Sequence, residues 1–156
     1  MKVFKFGGAS VKNATAIQNA VSITKSFDGP LIVVISAMGK TTNALETLWT
    51  AHVNQDEEGV RSTLESIYAF HRDIIVELGN DSQNMETFTE SFDQLKEYLG
   101  AEPIDNIAFE YDQIVSYGEL WSTIIVEQEM RRCGVNSRWL DARKLIKTSD
   151  HYQEAR

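Results

Sequence analysis

The run Leu31–Ile35 constrains the fold of this chain most, because it is five consecutive apolar residues, four of them β-branched. Such a run predicts a strand buried on both faces of a parallel sheet. Residues 2–6 read as an earlier short strand, and Ile17, Ala20 and Val21 then recur at helical spacing. The chain therefore opens β-α-β, and we expect an α/β fold with a mainly parallel sheet flanked by helices.

A glycine-rich segment follows the first predicted strand. Lys5 closes that strand, and Gly7, Gly8 and Ser10 come directly after it. Adjacent glycines allow a backbone turn with positive φ, and their N–H groups can form an anion site where a helix begins near Val11. Lys5 would place a compact cation at the mouth of that site. From the glycine pair alone, an ordinary strand-to-helix turn is the alternative.

A second polar loop, residues 36–43, follows the second predicted strand. Ligands in open α/β sheets bind beyond the carboxyl ends of the strands, so we expect the two loops to converge on one site. Gly39-Lys40-Thr41 resembles the end of a P-loop, but that motif needs a glycine where Val34 stands. The P-loop match therefore fails. A small-residue loop facing a polar ligand is favoured, with helix capping by Thr41 or Thr42 as the alternative.

Residues 43–100 are predicted to form a largely helical insertion between sheet elements. Apolar positions recur there at steps of three and four along three stripes. The stripes are Leu45, Leu48 and His52; Val60, Leu64, Ile67, His71, Ile74 and Leu78; and Met85, Phe88, Phe92, Leu95 and Leu99. Gly79-Asn80-Asp81 separates the last two helices, and Gly100 ends the insertion. His52 and His71 are interpreted as packed histidines, and no metal site is predicted.

The stretch Ser116-Tyr117-Gly118-Glu119 is predicted to interrupt a helix that opens at Pro103. Gly118 would form a kink, and the Glu119 carboxylate would lie beside free N–H groups at the next helix N-terminus. An ordinary first-turn glutamate is one interpretation. A ligand for an ammonium group is the other. Further on, residues 136–140 read as a strand.

Composition and charge exclude several classes of protein. With 42% hydrophobic and 24% charged residues, the chain is expected to be globular with a sizeable core. A net charge of −8 argues against nucleic-acid binding, since the only basic cluster is Arg131-Arg132. No run approaches the roughly 18 apolar residues of a membrane span, so we expect a cytoplasmic protein without membrane contact. The single Cys133 reads as a packing residue.

Four stretches resemble, in order and spacing, the N-terminal part of an aspartokinase, a member of the amino acid kinase family. They are KFGGAS, SAMGKTTNAL, SYGELWST and WLDARKLIKTSD. Ala9 stands where the family more often has Thr. The resemblance covers essentially the whole chain and implies that residues 1–156 are a partial catalytic domain, the amino-acid-binding lobe. The nucleotide lobe and the regulatory domains would lie outside it.

The resemblance implies transfer of the ATP γ-phosphoryl group to the β-carboxylate of L-aspartate. The product, 4-phospho-L-aspartate, opens lysine, threonine and methionine biosynthesis. Lys5 would be the catalytic cation at the phosphoryl group, and it would bind the ATP phosphates together with Gly7, Gly8 and Ser10. Mg²⁺ would come with the ATP, and no metal-ligating residue is assigned to this chain.

The resemblance also assigns the amino acid substrate. Ser36 and Thr42 would face the aspartate, and Glu119 would hold its α-amino group. A side-chain carboxylate with a pKa near ~3.9 is already ionised at neutral pH, so the reaction needs no general base. Its main requirement is to hold two anions together and to offset their charge.

Three alternatives stay open. Another amino acid kinase, such as a glutamate, acetylglutamate or uridylate kinase, would share the early KFGG pattern. A ligand-binding lobe without catalysis is a second class of function. A bifunctional enzyme fused to a dehydrogenase is the third. We expect the parent enzyme to be a homo-oligomer and the isolated chain to be inactive by itself.

Overall fold

The computed structural model describes residues 1–79, 82–149 and 152, and within them the chain has the predicted α/β fold. It opens with β1 (Lys2–Phe6), a 3-10 helix (Gly8–Val11), α1 (Ala14–Lys25) and β2 (Leu31–Ile35). The two strands pair in parallel, with Lys2 beside Leu31 and Phe6 beside Ile35. Because they are parallel, their carboxyl ends lie side by side at one edge of the sheet.

Helices dominate the described chain after β2. They are α2 (Thr41–Val53), α3 (Glu57–Glu77), α4 (Ser82–Leu99), α5 (Ile107–Val115), α6 (Tyr117–Arg132) and the short α7 (Ala142–Leu145). The predicted helical content of residues 43–100 is confirmed by α2, α3 and α4, although no strand follows these helices within the described residues. Among the described residues, no helix is both long enough and apolar enough to span a bilayer.

Two helices begin later than predicted because an asparagine caps each of them. Asn13 accepts a hydrogen bond from the backbone N–H of Ala16 at 2.9 Å, so α1 starts after it and not near Val11. Asn106 caps α5 in the same way, and the helix that Pro103 was predicted to open begins only after this residue. Side-chain acceptors of this kind satisfy backbone donors that have no partner inside the helix.

The prediction that β2 is buried on both faces is wrong. Ile32 and Val34 are each 45% exposed, and Val3 on the neighbouring strand is 60% exposed. On the opposite face, Ile35 belongs to the hydrophobic core, and the partly buried Val33 packs against it. The described helices cover only the face that carries Val33 and Ile35. An unbroken apolar run cannot show whether one face of a strand is covered or both.

Residues 136–140 form no strand, contrary to the prediction. The segment runs beside α6, where Trp139 Nε1 donates a hydrogen bond to Thr123 Oγ1 at 3.0 Å. Ser137 Oγ donates to Glu127 Oε1, also at 3.0 Å. A strand needs a hydrogen-bonded neighbour, and the sheet of the described chain contains β1 and β2 only.

An aromatic cluster around Trp121 forms the centre of the helical core. The Trp121 ring centroid lies 5.3 Å from that of His71, 5.5 Å from that of Phe92 and 5.9 Å from that of Phe88. His52 and His71, predicted to be packed histidines, are both buried. Fully buried aromatic rings of this size contribute a large share of the hydrophobic stabilisation.

The predicted helix boundaries at glycine are partly within the described residues. Gly79 follows α3 with a φ of +68°, a left-handed conformation that glycine adopts without strain. Gly100 follows the last residue of α4. Asn80 and Asp81, which complete the predicted separator, lie outside the described residues, as does His151 near the end of the chain.

Candidate active site

The loops that follow β1 and β2 are in direct contact, as the parallel sheet predicts. The Ser36 backbone N–H donates to the Phe6 carbonyl at 3.0 Å, and the Gly39 N–H donates to the Gly8 carbonyl at 3.1 Å. A Cβ on Gly8 would lie 2.6 Å from the carbonyl oxygen of Ala37. No side chain fits at position 8, so the glycine is what allows the two loops to meet.

The two predicted glycines of the first loop have different roles, and neither has a positive φ. Gly7 has a φ of −77°, and a Cβ added to it would meet no atom within 4 Å. The left-handed conformation predicted for this pair occurs in the other loop, at Gly39, where φ is +54°. Ser10 lies in the 3-10 helix and donates its backbone N–H to the Gly7 carbonyl at 2.8 Å. Gly7 is therefore a position where a ligand has room to approach the backbone.

The N-terminus of α2 faces the second loop without a side-chain cap. Lys40 occupies the N-cap position and makes no capping hydrogen bond. Thr41 and Thr42 lie inside the first helical turn, so the interpretation of these threonines as caps is wrong. The Thr41 hydroxyl is buried and has no hydrogen-bond partner among the described residues. The Thr41 N–H donates to the Met38 carbonyl at 2.9 Å, so the N–H groups of Thr42 and Asn43 are the ones left in this turn to bind an anion.

Glu119 reaches the same loop from the first turn of α6. Its Oε1 accepts a hydrogen bond from the Ala37 backbone N–H at 3.2 Å. The helices α5 and α6 meet at Ser116, whose φ and ψ of −60° and −19° remain helical. Gly118 therefore lies within the first turn of α6 and is not a kink. The predicted interruption of the helix exists, but it is confined to Ser116.

Three lysines surround these loops on the surface. Lys5 lies near the end of β1, Lys12 follows the 3-10 helix, and Lys40 precedes α2; all three are exposed. Lys12 is also close to the second loop, since its Cβ lies 3.7 Å from where a Cβ on Gly39 would stand. No hydrogen bond or ion pair is formed by these ammonium groups within residues 1–79 and 82–149. In a chain of net charge −8, this edge of the sheet concentrates unpaired positive charge.

One contact to the second loop was not predicted from the sequence. Ser122 is fully buried on α6, and its Oγ donates to the Ser36 carbonyl at 2.7 Å. Because it follows Glu119 by three positions, both residues lie on the same face of the helix. This spacing of three residues is the signal in the sequence that could have pointed to Ser122.

The predicted site residues thus fall at one edge of the sheet. Contacts join the segments that carry them: the loop after β1, the loop after β2 and the first turn of α6. Lys5 lies in β1, one residue before its end, and Thr42 lies in the first turn of α2. Among the described residues, no group of three or more His, Cys, Asp or Glu side chains is arranged to hold a metal ion.

Parallel strands whose carboxyl-end loops meet beside helix N-termini without side-chain caps form an arrangement that α/β proteins use to bind anions. The amino acid kinase family model matches residues 1–155. The chain therefore belongs to the amino acid kinase family.

Individual relatives are aspartokinases. The chain is 29% identical over 154 residues to lysine-sensitive aspartokinase 3 of Escherichia coli (strain K12), covering 98% of this chain and 33% of the relative. It is 30% identical over 151 residues to bifunctional aspartokinase/homoserine dehydrogenase 1, chloroplastic, of Arabidopsis thaliana, covering 92% of this chain and 16% of that protein.

Solved structures of aspartokinase III from E. coli share the fold. The structure in complex with lysine and aspartate (T-state) gives a TM-score of 0.89, and the one in complex with aspartate and ADP (R-state) gives 0.88. Both are 26% identical; they match 100% and 99% of this chain and 34% of the solved chains. The chain spans about a third or less of the length of these relatives.

Proposed function

We propose that this chain is the amino-acid-binding lobe of an aspartokinase, which transfers the γ-phosphoryl group of ATP to the β-carboxylate of L-aspartate. The observation that carries the proposal is the position of Glu119. Its carboxylate stands against the Ala37 N–H, at the point where both strand-end loops meet. Similarity to aspartokinases along the whole chain, including a structure that holds aspartate and ADP, supports it.

Glu119 is suited to recognise the α-amino group of the substrate. Only Oε1 is engaged by Ala37, so the second carboxylate oxygen and the remaining lone pairs can accept from an ammonium group. The hydrogen bond from the backbone fixes the carboxylate before the substrate arrives. A charge-assisted contact of this kind contributes about 1.5–3 kcal/mol.

Positive charge at the sheet edge is suited to the anionic groups of the reaction. Ser36 and Thr42, with the uncapped first turn of α2, would face the substrate carboxylates. Lys5 would offset the charge of the transferred phosphoryl group, with support from the loop amides of Gly7 and Gly8. Ser10, in the 3-10 helix that begins there, lies beside the same phosphates in this proposal. The aspartate carboxylate is already ionised, so these residues need only position it.

Magnesium is assigned to the nucleotide, as part of a MgATP substrate. The described residues offer no cluster of acidic, histidine or cysteine ligands for a resident ion. The Mg²⁺ would screen the phosphate charge, while the residues of this chain orient the phosphate oxygens and the amino acid. We further propose that the chain is part of one catalytic domain, that the intact protein is a cytoplasmic homo-oligomer, and that the chain alone does not turn over ATP.

Substrate-dependent ADP release by the intact protein that carries this chain tests the proposal. We expect release with L-aspartate and none above background with glutamate, acetylglutamate or uridine monophosphate. Release with one of those three would move the protein to another member of the amino acid kinase family. Binding of an amino acid without any ADP release would instead indicate a ligand-binding lobe.

A further inference from the structure

Two side chains of α6 hold a single peptide group by both of its polar atoms. The Ser122 Oγ donates to the Ser36 carbonyl at 2.7 Å, and the Ala37 N–H donates to Glu119 Oε1 at 3.2 Å. The Ser36 carbonyl and the Ala37 N–H belong to the same peptide bond, which is planar. Contacts at both ends of one plane fix its rotation about the chain axis.

The two contacts differ in their exposure to water. Ser122 is fully buried and Ala37 is 3% exposed, while Glu119 is an exposed residue. Water can replace a lost contact at Glu119. It cannot easily replace one at Ser122, because an unpaired buried carbonyl carries its whole desolvation penalty. Ser122 is therefore the anchor of the pair, and Glu119 is the member that stays accessible.

We propose that Ser122 is a positioning residue for the amino acid substrate and acts through the Ser36–Ala37 peptide. This inference rests on the proposed function, since it assigns Ser36 and Glu119 to substrate binding. Rotation of the peptide changes the direction of the Ser36 side chain and moves the N–H that fixes the Glu119 carboxylate. One buried hydroxyl thus sets the geometry of two groups that would bind the substrate, while Ser122 itself does not touch it.

Ser91 provides a matched control for a purely structural hydroxyl. It is also a buried serine next to α6, and its Oγ accepts from Trp121 Nε1 at 3.1 Å. Replacing Ser91 by Ala leaves one buried donor unpaired, as Ser122→Ala leaves one buried acceptor unpaired. Both variants should therefore lower the melting temperature. Within the described part of the chain, the Ser91 hydroxyl bonds to Trp121 and to neither strand-end loop.

The experiment compares wild type, Ser122→Ala and Ser91→Ala in the intact protein. For Ser122→Ala we expect the KM for L-aspartate to rise about tenfold, with the KM for ATP within about twofold of wild type. The hydrogen-exchange rate of the Ala37 amide should rise by a similar factor. Ser91→Ala should change neither quantity. Ser122→Cys, which keeps the shape but offers a weak donor, should follow Ser122→Ala and replaces it if that variant fails to fold.

Two results would overturn the inference: an aspartate KM that moves no more in Ser122→Ala than in Ser91→Ala, or an unchanged exchange rate at Ala37. The proposed function fails separately, if wild type releases no ADP with aspartate. In that event the Ala37 exchange rate alone decides whether Ser122 holds the peptide.

Discussion

A Cβ placed on Gly118 would lie 2.9 Å from the Cβ of Ala37, so α6 rests directly on the loop that follows β2. The same Cβ would lie 3.1 Å from Cδ1 of Leu45 on α2. Carbon atoms in favourable contact are about 3.5–4.0 Å apart, so a methyl group at position 118 must displace its neighbours. The Leu45 methyl can rotate away, whereas the Ala37 Cβ is attached to the backbone. The missing side chain of Gly118 therefore sets how closely Glu119 approaches the loop.

Gly118→Ala is expected to lift the start of α6 from the loop and to weaken the hydrogen bond between Glu119 and Ala37. Overpacking of a buried contact costs about 1–3 kcal/mol, although Ala in place of a helical Gly returns up to about 1 kcal/mol. We expect kcat/KM for aspartate to fall about tenfold and the melting temperature to fall by a few degrees, because the cost of overpacking exceeds the gain in helix propensity. Steady-state kinetics and a thermal melt of the intact protein measure both.

Ala37→Gly removes the methyl group that Gly118→Ala would strike, which provides an internal rescue. The double variant should have an aspartate kcat/KM well above that of Gly118→Ala and close to that of Ala37→Gly alone. A double variant as impaired as Gly118→Ala would show that the contact with Ala37 is not the cause.

Glu119→Gln separates substrate recognition from a structural role. Glutamine keeps an oxygen that can accept from the Ala37 N–H but removes the negative charge. A charge-assisted hydrogen bond to the substrate ammonium contributes about 1.5–3 kcal/mol, so kcat/KM for aspartate should fall ten- to a hundredfold. The KM for ATP and the melting temperature should stay close to wild type.

Glu119→Ala is the companion variant, because it also removes the acceptor for Ala37. It should lower the melting temperature in addition to the loss of aspartate affinity. If Glu119→Gln keeps the aspartate KM and only Glu119→Ala has an effect, the carboxylate acts on the loop and not on the substrate.

Lys5→Ala is expected to reduce kcat at least tenfold with a smaller effect on the KM for aspartate. The exposed ammonium group has no partner among the described residues, so its loss should leave the melting temperature unchanged. Its charge would matter most where the phosphoryl group is transferred. Lys2→Ala is the control, since Lys2 lies at the other end of β1, with its Nζ 5.0 Å from the centroid of the Phe27 ring. Equal kinetics for the two variants would remove Lys5 from the active site.

The sequence correctly predicts those helices and strands whose pattern depends on the spacing of apolar residues within one element. The β-branched run at Leu31–Ile35 and the stripes of α2, α3 and α4 each follow from periodicity within one element. The meeting of the two loops follows too, since parallel strands bring their carboxyl ends together. The positive φ expected at Gly8 is absent; what requires glycine there is the carbonyl oxygen of Ala37, which would lie 2.6 Å from an added Cβ.

The features that were predicted wrongly, or not at all, depend on residues that are remote in sequence. The exposure of Ile32 and Val34 is set by which helices cover the sheet, and no pattern inside β2 encodes that. Residues 136–140 have a strand-like pattern but find side chains of α6 in place of a neighbouring strand. Ser122 looks like any helical serine until the Ser36 carbonyl is placed opposite its hydroxyl.

His71 lies in the aromatic core, out of contact with water. It is fully buried, and this burial lowers its pKa from 6.5 to about 4, against the opposing effect of a hydrogen bond between Nδ1 and the Ile67 carbonyl at 2.8 Å. The unfolded chain therefore binds a proton in the range between those two pKa values, and the folded chain does not. The free energy of unfolding should be unaffected by His71 above about pH 6.5 and should fall as the pH drops towards 4.

A shift of this size corresponds to about 3 kcal/mol of stability lost across that interval. Denaturant unfolding of wild type and His71→Phe at several pH values measures it. Phenylalanine preserves a flat ring beside Phe88 and Trp121 but has no titrating group. The carboxylates and the other histidines change the free energy of unfolding equally in both proteins. The difference between the two pH curves is therefore due to His71. Between pH 6.5 and 4, the free energy of unfolding of the wild type should fall by about 3 kcal/mol more than that of His71→Phe. Parallel curves over this range would mean that His71 titrates alike in the folded and unfolded chains.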